Sequence, residues 1–205
     1  MDFLTLLKQR RACHHFLAGQ KISDADLTEM IRRTSLTPSG YNRQPWEFVI
    51  VREPKNIAKV SDIAFKQEHI KDASALIVVL GDMDIGRYTE EILQNWIKNG
   101  YCTREELPAY RNSIGKTRSP EKRRDMALRN SMLACMTLMF VAEDMGYGTC
   151  PMMGFSQWQL QEFLNIPDDR LISLLIAVGK PDRNKEKPQL PRREAKEMIH
   201  WEFFQ

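Results

Sequence analysis

Pro38-Ser39-Gly40-Tyr41-Asn42-Arg43-Gln44-Pro45-Trp46 is a run of turn formers that gives way at once to Phe48-Val49-Ile50-Val51. Two prolines and a glycine within eight residues rule out a continuing helix, and the apolar run after them reads as a strand buried on both faces. Gly40 lets a backbone come close to a ligand, while Ser39, Asn42 and Gln44 supply neutral donors and acceptors suited to a polar ring edge. Taken alone, the segment is simply a tight entry into a strand.

Two more strands of the same kind follow, Ala75–Leu80 and Leu171–Val178, closed by Gly81-Asp82 and by Gly179-Lys180-Pro181. Helices surround them. Residues 2–9 form a short amphipathic one. Ser23 caps a second, with Asp26 as a shortened capping-box partner and Ile22 and Leu27 as a hydrophobic staple. A third covers roughly 55–68. The stretch from Met126 to Met145 is apolar nearly all round, as at the centre of a fold or in a subunit interface, and stops at Gly146. Residues 156–164 form a last helix, and residues 146–155 read as a connection between helices whose amides could face a ligand. Residues 84–120 are polar and helical in pieces, with Pro108 and Gly115 as breaks. Residues 181–205 make an arm with three prolines in 181–191, after which Ile199, Trp201 and Phe203 alternate with polar residues as a short strand in search of a sheet edge.

The composition is that of one globular domain: 205 residues, 42% hydrophobic, 28% charged, with a net charge of +3 too small to pull strongly on nucleic acid. Basic residues cluster at 116–129 and 185–196. No apolar run is long enough to span a bilayer, and the acid at position 2 argues against a leader, so no membrane partner and a cytoplasmic location are expected. Cys13, Cys102, Cys135 and Cys150 lack metal-ligand spacing, so free thiols and no metal are expected. No dinucleotide glycine fingerprint, phosphate-binding lysine loop, zinc-protease motif or serine elbow is found, and Ser113…Lys116 fits a serine–lysine spacing only by letter.

Three distant segments remain. Arg10-Arg11-Ala12-Cys13-His14 closes the first helix with two planar, permanently charged donors. The 38–46 segment is the second. Gly146-Tyr147-Gly148-Thr149-Cys150-Pro151-Met152-Met153-Gly154 is the third. Their order and spacing resemble the FMN-dependent nitroreductase family over essentially the whole chain. That resemblance implies an α+β fold with a central, mostly antiparallel sheet flanked by helices, and an intertwined homodimer with a swapped C-terminal strand.

It further implies FMN in an interface cleft, with Arg10, Arg11 and Ala12 toward the phosphate and ribityl side and His14 near flavin N1 and O2. Pro38, Ser39, Gly40, Asn42 and Gln44 would arrive from the partner subunit. Pro151, Met152, Met153 and Gly154 would lie along the N5 side, and Arg192 and Arg193 would close on the phosphate. Electrons would pass from NAD(P)H through flavin N5 to a small acceptor such as a nitroaromatic or quinone, in ping-pong fashion, with no catalytic side chain. Tyr41 and the 84–120 insertion would shape the acceptor pocket. The same fold also serves reductive dehalogenation and flavin cleavage, and a non-catalytic flavin-binding regulatory dimer is a further alternative. Two positions depart from the family pattern: Ala12 replaces its serine and His14 its third arginine. Histidine is mostly neutral at pH 7, so a weaker hold on the charge of reduced flavin and a lower midpoint potential are expected, by ~30 mV for every ~1.4 kcal/mol lost.

Overall fold

The computed structural model describes residues 1–84, 86–114 and 118–204. In chain order these form α1 (Phe3–Gln9), α2 (Asp24–Thr34), β1 (Trp46–Val51), α3 (Pro54–Ile63), α4 (Glu68–Lys71), β2 (Ala75–Asp82), α5 (Thr89–Lys98), α6 (Leu107–Ile114), α7 (Pro120–Asp144), β3 (Gly148–Met152), α8 (Gln157–Phe163) and β4 (Arg170–Gly179). The sheet runs β1-β2-β4-β3 with every pairing antiparallel.

β2 and β4 lie in the middle and are buried along their whole length, as their unbroken apolar sequences require. Because side chains alternate across a strand, Leu76, Val78, Leu175 and Ala177 meet α3, α4 and α8 on one face. Ala75, Ile77, Leu174 and Ile176 meet α2 and α7 on the other. The helices therefore flank the sheet on both faces. β1 corrects the expectation of burial on both sides: it is an edge strand, and Ile50 is 36% exposed. An apolar run by itself does not separate a central strand from an edge one.

Helix ends follow local chemistry. The Ser23 hydroxyl accepts from the Asp26 amide, and Ile22 and Leu27 share a cluster. The Asp26 carboxylate does not close the capping box but accepts from the Tyr147 hydroxyl at 2.6 Å, tying α2 to the start of β3. The expected helix over 55–68 is shorter, because Phe65 and Lys66 take left-handed backbone conformations between α3 and α4. α7 stops at Gly146, φ +79°, with the Tyr147 amide reaching back to the Ala142 carbonyl. Its buried stripe is Ala127, Ser131, Ala134, Cys135, Leu138 and Ala142, whereas Met132, Leu133 and Met136 are each more than a third exposed.

The 84–120 insertion contains α5 and α6 around a small core of its own, Ile92, Leu93, Trp96, Cys102 and Ile114. Pro108 sits in the first turn of α6, where a missing amide costs nothing, so it opens that helix instead of breaking one. Gly115 and Lys116, and with them the serine–lysine spacing, lie outside the described residues. The segment 146–155 is also corrected: it is not a plain helix connection, since Gly148–Met152 pairs with β4. Among the described residues of the tail, 199–204 form no strand within the single chain, and Trp201, Phe203 and Phe204 stand exposed.

Candidate functional site

The first and third segments meet along one edge of the sheet. Ala12 bridges Thr149 in parallel, the Cys13 amide donates to the Thr149 carbonyl at 2.8 Å, and Phe16 bridges Pro181. Two paired glycines make this approach possible. A Cβ on Gly148 would come within 2.8 Å of Cys13 Sγ, and one on Gly179 within 2.9 Å of the Phe16 ring. Residues 10–16 can lie against β3 only because both side chains are absent.

Just beyond the bridge, His14 Nδ1 lies 3.9 Å from Cys150 Sγ, and its ring meets His69 of α4 edge-on at 5.4 Å. The Nε2 atom of His69 is buried without a hydrogen-bond partner among the described residues. Burial, and then the neighbouring His14, push the His69 pKa down. These three residues bring possible ligand atoms within 4.8 Å of one another, and burial pushes the Cys150 thiol up to about 11, which keeps it a thiol and not a thiolate. Gln67 donates from Nε2 to the Gly154 carbonyl at 2.7 Å and so fixes the turn after β3. The Met153 side chain beside it is 80% exposed. Met152, by contrast, is buried in the core and only its backbone can serve the site. His14 and Gln67 help line a cleft of about 1070 Å³ between the N-terminal segment and α3–α4. That is the size of a cofactor site.

The C-terminal arm returns to the same edge. The Lys187 carbonyl accepts from Arg11, Gln189 Nε2 donates to the Arg10 carbonyl, and Arg183 is paired at 2.7 Å with Glu143, a carboxylate buried in α7. Arg11 is thus engaged by the arm, whereas the Arg10 guanidinium makes no ion pair among the described residues. Arg192 and Arg193 do not converge on it in the single chain: Arg192 donates to Leu190 and Arg193 to Glu197.

The 38–46 segment belongs to a different face. Ser39 Oγ accepts from the Gln44 amide at 2.8 Å, and the Gly40 amide donates to Asn130 of α7. Tyr41, Asn42 and Gln44 all have φ near +50°, a conformation costly for non-glycine residues. Gly40 itself does not, and a Cβ there would find its nearest neighbour at 3.9 Å. Tyr41 stacks on Trp96 of α5, which also packs against Tyr101 and Tyr110, beside a cavity of about 240 Å³ reaching Asn42 and Gln44. The loop is footed on ions: Arg170, 8% exposed, holds Glu47 of β1 through two bonds and Asp82 of β2 at 3.1 Å, while the Asp82 amide donates to the Pro45 carbonyl. No hydrogen bond or ring contact among the described residues joins 38–44 to 10–14 or to 150–154.

Sequence reading missed Gln67, His69 and Trp96. Gln67 lies in the stretch taken for helix, His69 just past its end, and Trp96 in the 84–120 insertion, which is named for the acceptor pocket only as a whole.

A cleft beside the N-terminal segment on one face and an aromatic-backed polar loop on another, around an antiparallel sheet between helices, define an α+β protein with room for a small ligand. Residues 7–180 match the model of the nitroreductase family, and the chain belongs to that family. It is 31% identical over 210 residues to the oxygen-insensitive NADPH nitroreductase of Helicobacter pylori strain 26695, covering 96% of this chain and 94% of that one. The structure of ydfN from Bacillus subtilis superposes with a TM-score of 0.91 at 29% identity, over 97% of this chain and 98% of that one. A nitroreductase-type protein from Exiguobacterium sibiricum, crystallised in complex with FMN, superposes with a TM-score of 0.88 at 28% identity, covering 98% and 97%.

Proposed function

We propose that this chain is an FMN-dependent oxidoreductase, working as one domain per subunit in a cytoplasmic homodimer, that takes electrons from NADH or NADPH and delivers them to a small planar acceptor such as a nitroaromatic or a quinone. The observation that carries this reading is the division of the candidate site between two faces of one chain. The Arg10–His14 and Pro151–Gly154 half and the Pro38–Gln44 half do not meet within a subunit, so a complete site needs two.

The residues fit the cofactor. Arg10 is a cation without an ion-pair partner among the described residues, and a buried imidazole nitrogen on His69 lacks a hydrogen bond. A cleft large enough for an aromatic ring system is lined by His14 and His69, and an FMN complex is known for a protein of the same fold. Arg10, with Arg192 and Arg193 brought in when the arm docks, would hold the phosphate. Arg11 positions the arm through Lys187 and Glu186. Ala12, His14 and the backbone from Pro151 to Gly154 would line the ring, with Gln67 keeping Gly154 in place. Pro38, Ser39, Gly40, Asn42 and Gln44 would cover it from the partner, leaving Tyr41 and Trp96 to receive the acceptor. Bound FMN supplies the redox chemistry, taking two electrons from a nicotinamide and releasing them to the acceptor at one shared site.

Exposed apolar side chains support the dimer. Phe3, Leu4 and Leu7 of α1, Met132, Leu133 and Met136 of α7, and Trp201, Phe203 and Phe204 of the tail form more apolar surface than an isolated subunit keeps in water. A tail strand swapped onto the partner would account for the last three. The test is direct. Purified protein should be yellow, run as a dimer, and bleach on anaerobic titration with one or both nicotinamides. A colourless monomer indifferent to FMN would refute the proposal.

A further inference from the structure

We infer that His69 is a second flavin-contacting residue and that, together with His14, it takes up one proton when the ring is reduced. The inference rests on the FMN reading above and deepens it for this chain's own residues. His69 projects from α4, two residues beyond Gln67, which anchors the Gly154 carbonyl. Its ring meets His14 edge-on at 5.4 Å, and His14 in turn lies 3.9 Å from Cys150, which directly precedes Pro151. The two imidazoles therefore sit together at one end of the β3 turn. A buried nitrogen without a partner is unfavourable unless a ligand supplies one, and the Nε2 atom of His69 is in that position.

The surroundings leave the charge of this pair to the ligand. Cys150 is the titratable group facing it from β3, with Cys13 behind it; His15 follows it along the chain. Between residues 52 and 72 the cleft is lined by Arg52, Glu53, Asp62, Lys66, Glu68, Lys71 and Asp72, and Lys21 lines it as well. Lys66 and Asp62 lie within 4.0 Å of each other, and among the described residues neither imidazole is ion-paired. Burial, and then the neighbouring His14, push the His69 pKa down, and an adjacent negative charge acts in the opposite sense and would draw a proton onto the pair. The nicotinamide leaves oxidised, having given two electrons and one proton, and the ring retains one negative charge. One solvent proton then adds to the imidazole pair, so the site gains two electrons and two protons. A relative with an arginine at position 14 carries a fixed charge there and has no such proton to take up.

The experiment is spectroelectrochemistry of the FMN-loaded dimer between pH 5 and 9, on the wild type, His69→Asn, His14→Arg and the His14→Asn/His69→Asn double variant. In the wild type the potential should fall by about 30 mV per pH unit at the extremes and by about 60 mV per unit within a window in the histidine range, corresponding to one and two protons per two electrons. His69→Asn should narrow that window, and His14→Arg and the double variant should remove it. Imidazole ¹⁵N shifts in oxidised and reduced protein should assign the second proton to His14 or His69 and not to the ring. A steep window unchanged in the double variant, or ¹⁵N shifts indifferent to reduction, would overturn the inference while the FMN reading stood. Failure of the wild type to bind FMN would take down both.

Discussion

The two halves of the proposed site are made differently. The Arg10–His14 half is laid against β3 by backbone bridges, with glycines cut to fit at 148 and 179, and leaves little room to move. The Pro38–Gln44 half is a loop of left-handed non-glycine residues held by one hydroxyl, one amide and an ion network at its foot. A half that is formed in the single chain can select a cofactor by shape before assembly. A half held in a strained loop is completed by what it meets, which under the proposed function is the other subunit's cleft.

The largest effect should come from the loop's footing. Arg170→Ala would strip one of two cations from the buried Asp82 and release Glu47, at a cost of about 3 kcal/mol, the low end for a broken buried pair because Arg87 stays at 2.8 Å. Burial already pushes the Asp82 carboxyl up against the opposing pull of the Asp84 amide and of Arg170 and Arg87. Urea denaturation would measure the loss, and a cost under about 1 kcal/mol would mean that the loop does not depend on this network. Next is the preformed edge. Gly148→Ala should cost about 1–3 kcal/mol through overlap with Cys13 and should lower FMN affinity as well, because residues 10–14 must shift. If stability falls but FMN affinity holds, the edge is scaffold and not site.

A smaller effect tests the tie between the two scaffolds. Tyr147, which opens the edge, donates to Asp26 of the helix that leads to the loop. Tyr147→Phe should cost about 1 kcal/mol at neutral pH. Burial and Asp26 push the phenol up to about 12 in the folded chain. A folded-state pKa above the unfolded value of about 10 gives stability that is complete below pH 10 and is lost as pH rises toward 12. The wild type should therefore weaken over that alkaline window more steeply than the phenylalanine variant, and equal slopes would show that the hydrogen bond contributes nothing.

The same contrast explains what the sequence made legible. The preformed parts are written in local patterns: the unbroken apolar runs of β2 and β4, the Ser23 cap and the Gly146 stop. Three things were not legible, each for a physical reason. Ile50 has the composition of a central strand, but its exposure depends on which strands lie beside β1. Gly148 reads as part of a connection between helices, yet its role is to leave room for Cys13, a residue 135 positions away. His69 lies just past what reads as one helix over 55–68, and the turn at Phe65 and Lys66, which starts a separate short helix, brings it against His14. The aromatic tail alternates like a strand but has no edge to join in one chain.

The smallest perturbation of the fold gives the sharpest test of the comparison. Ser39→Ala removes only the acceptor for the Gln44 amide on an exposed loop, a loss of about 0.5 kcal/mol that leaves the chain folded. If the loop serves its own subunit, the variant's flavin binding should fall independently of the partner. If it serves the neighbour, mixing should reveal it. Ser39→Ala combined with Asn42→Ala damages only the loop half, and Arg10→Ala only the edge half. A mixed dimer of the two would then carry one site with both lesions and one with none. Recovery of tightly bound FMN on mixing two variants that each bind it poorly is the expected outcome. No recovery, with mixed dimers confirmed by mass, would place both halves in one subunit and erase the distinction between them.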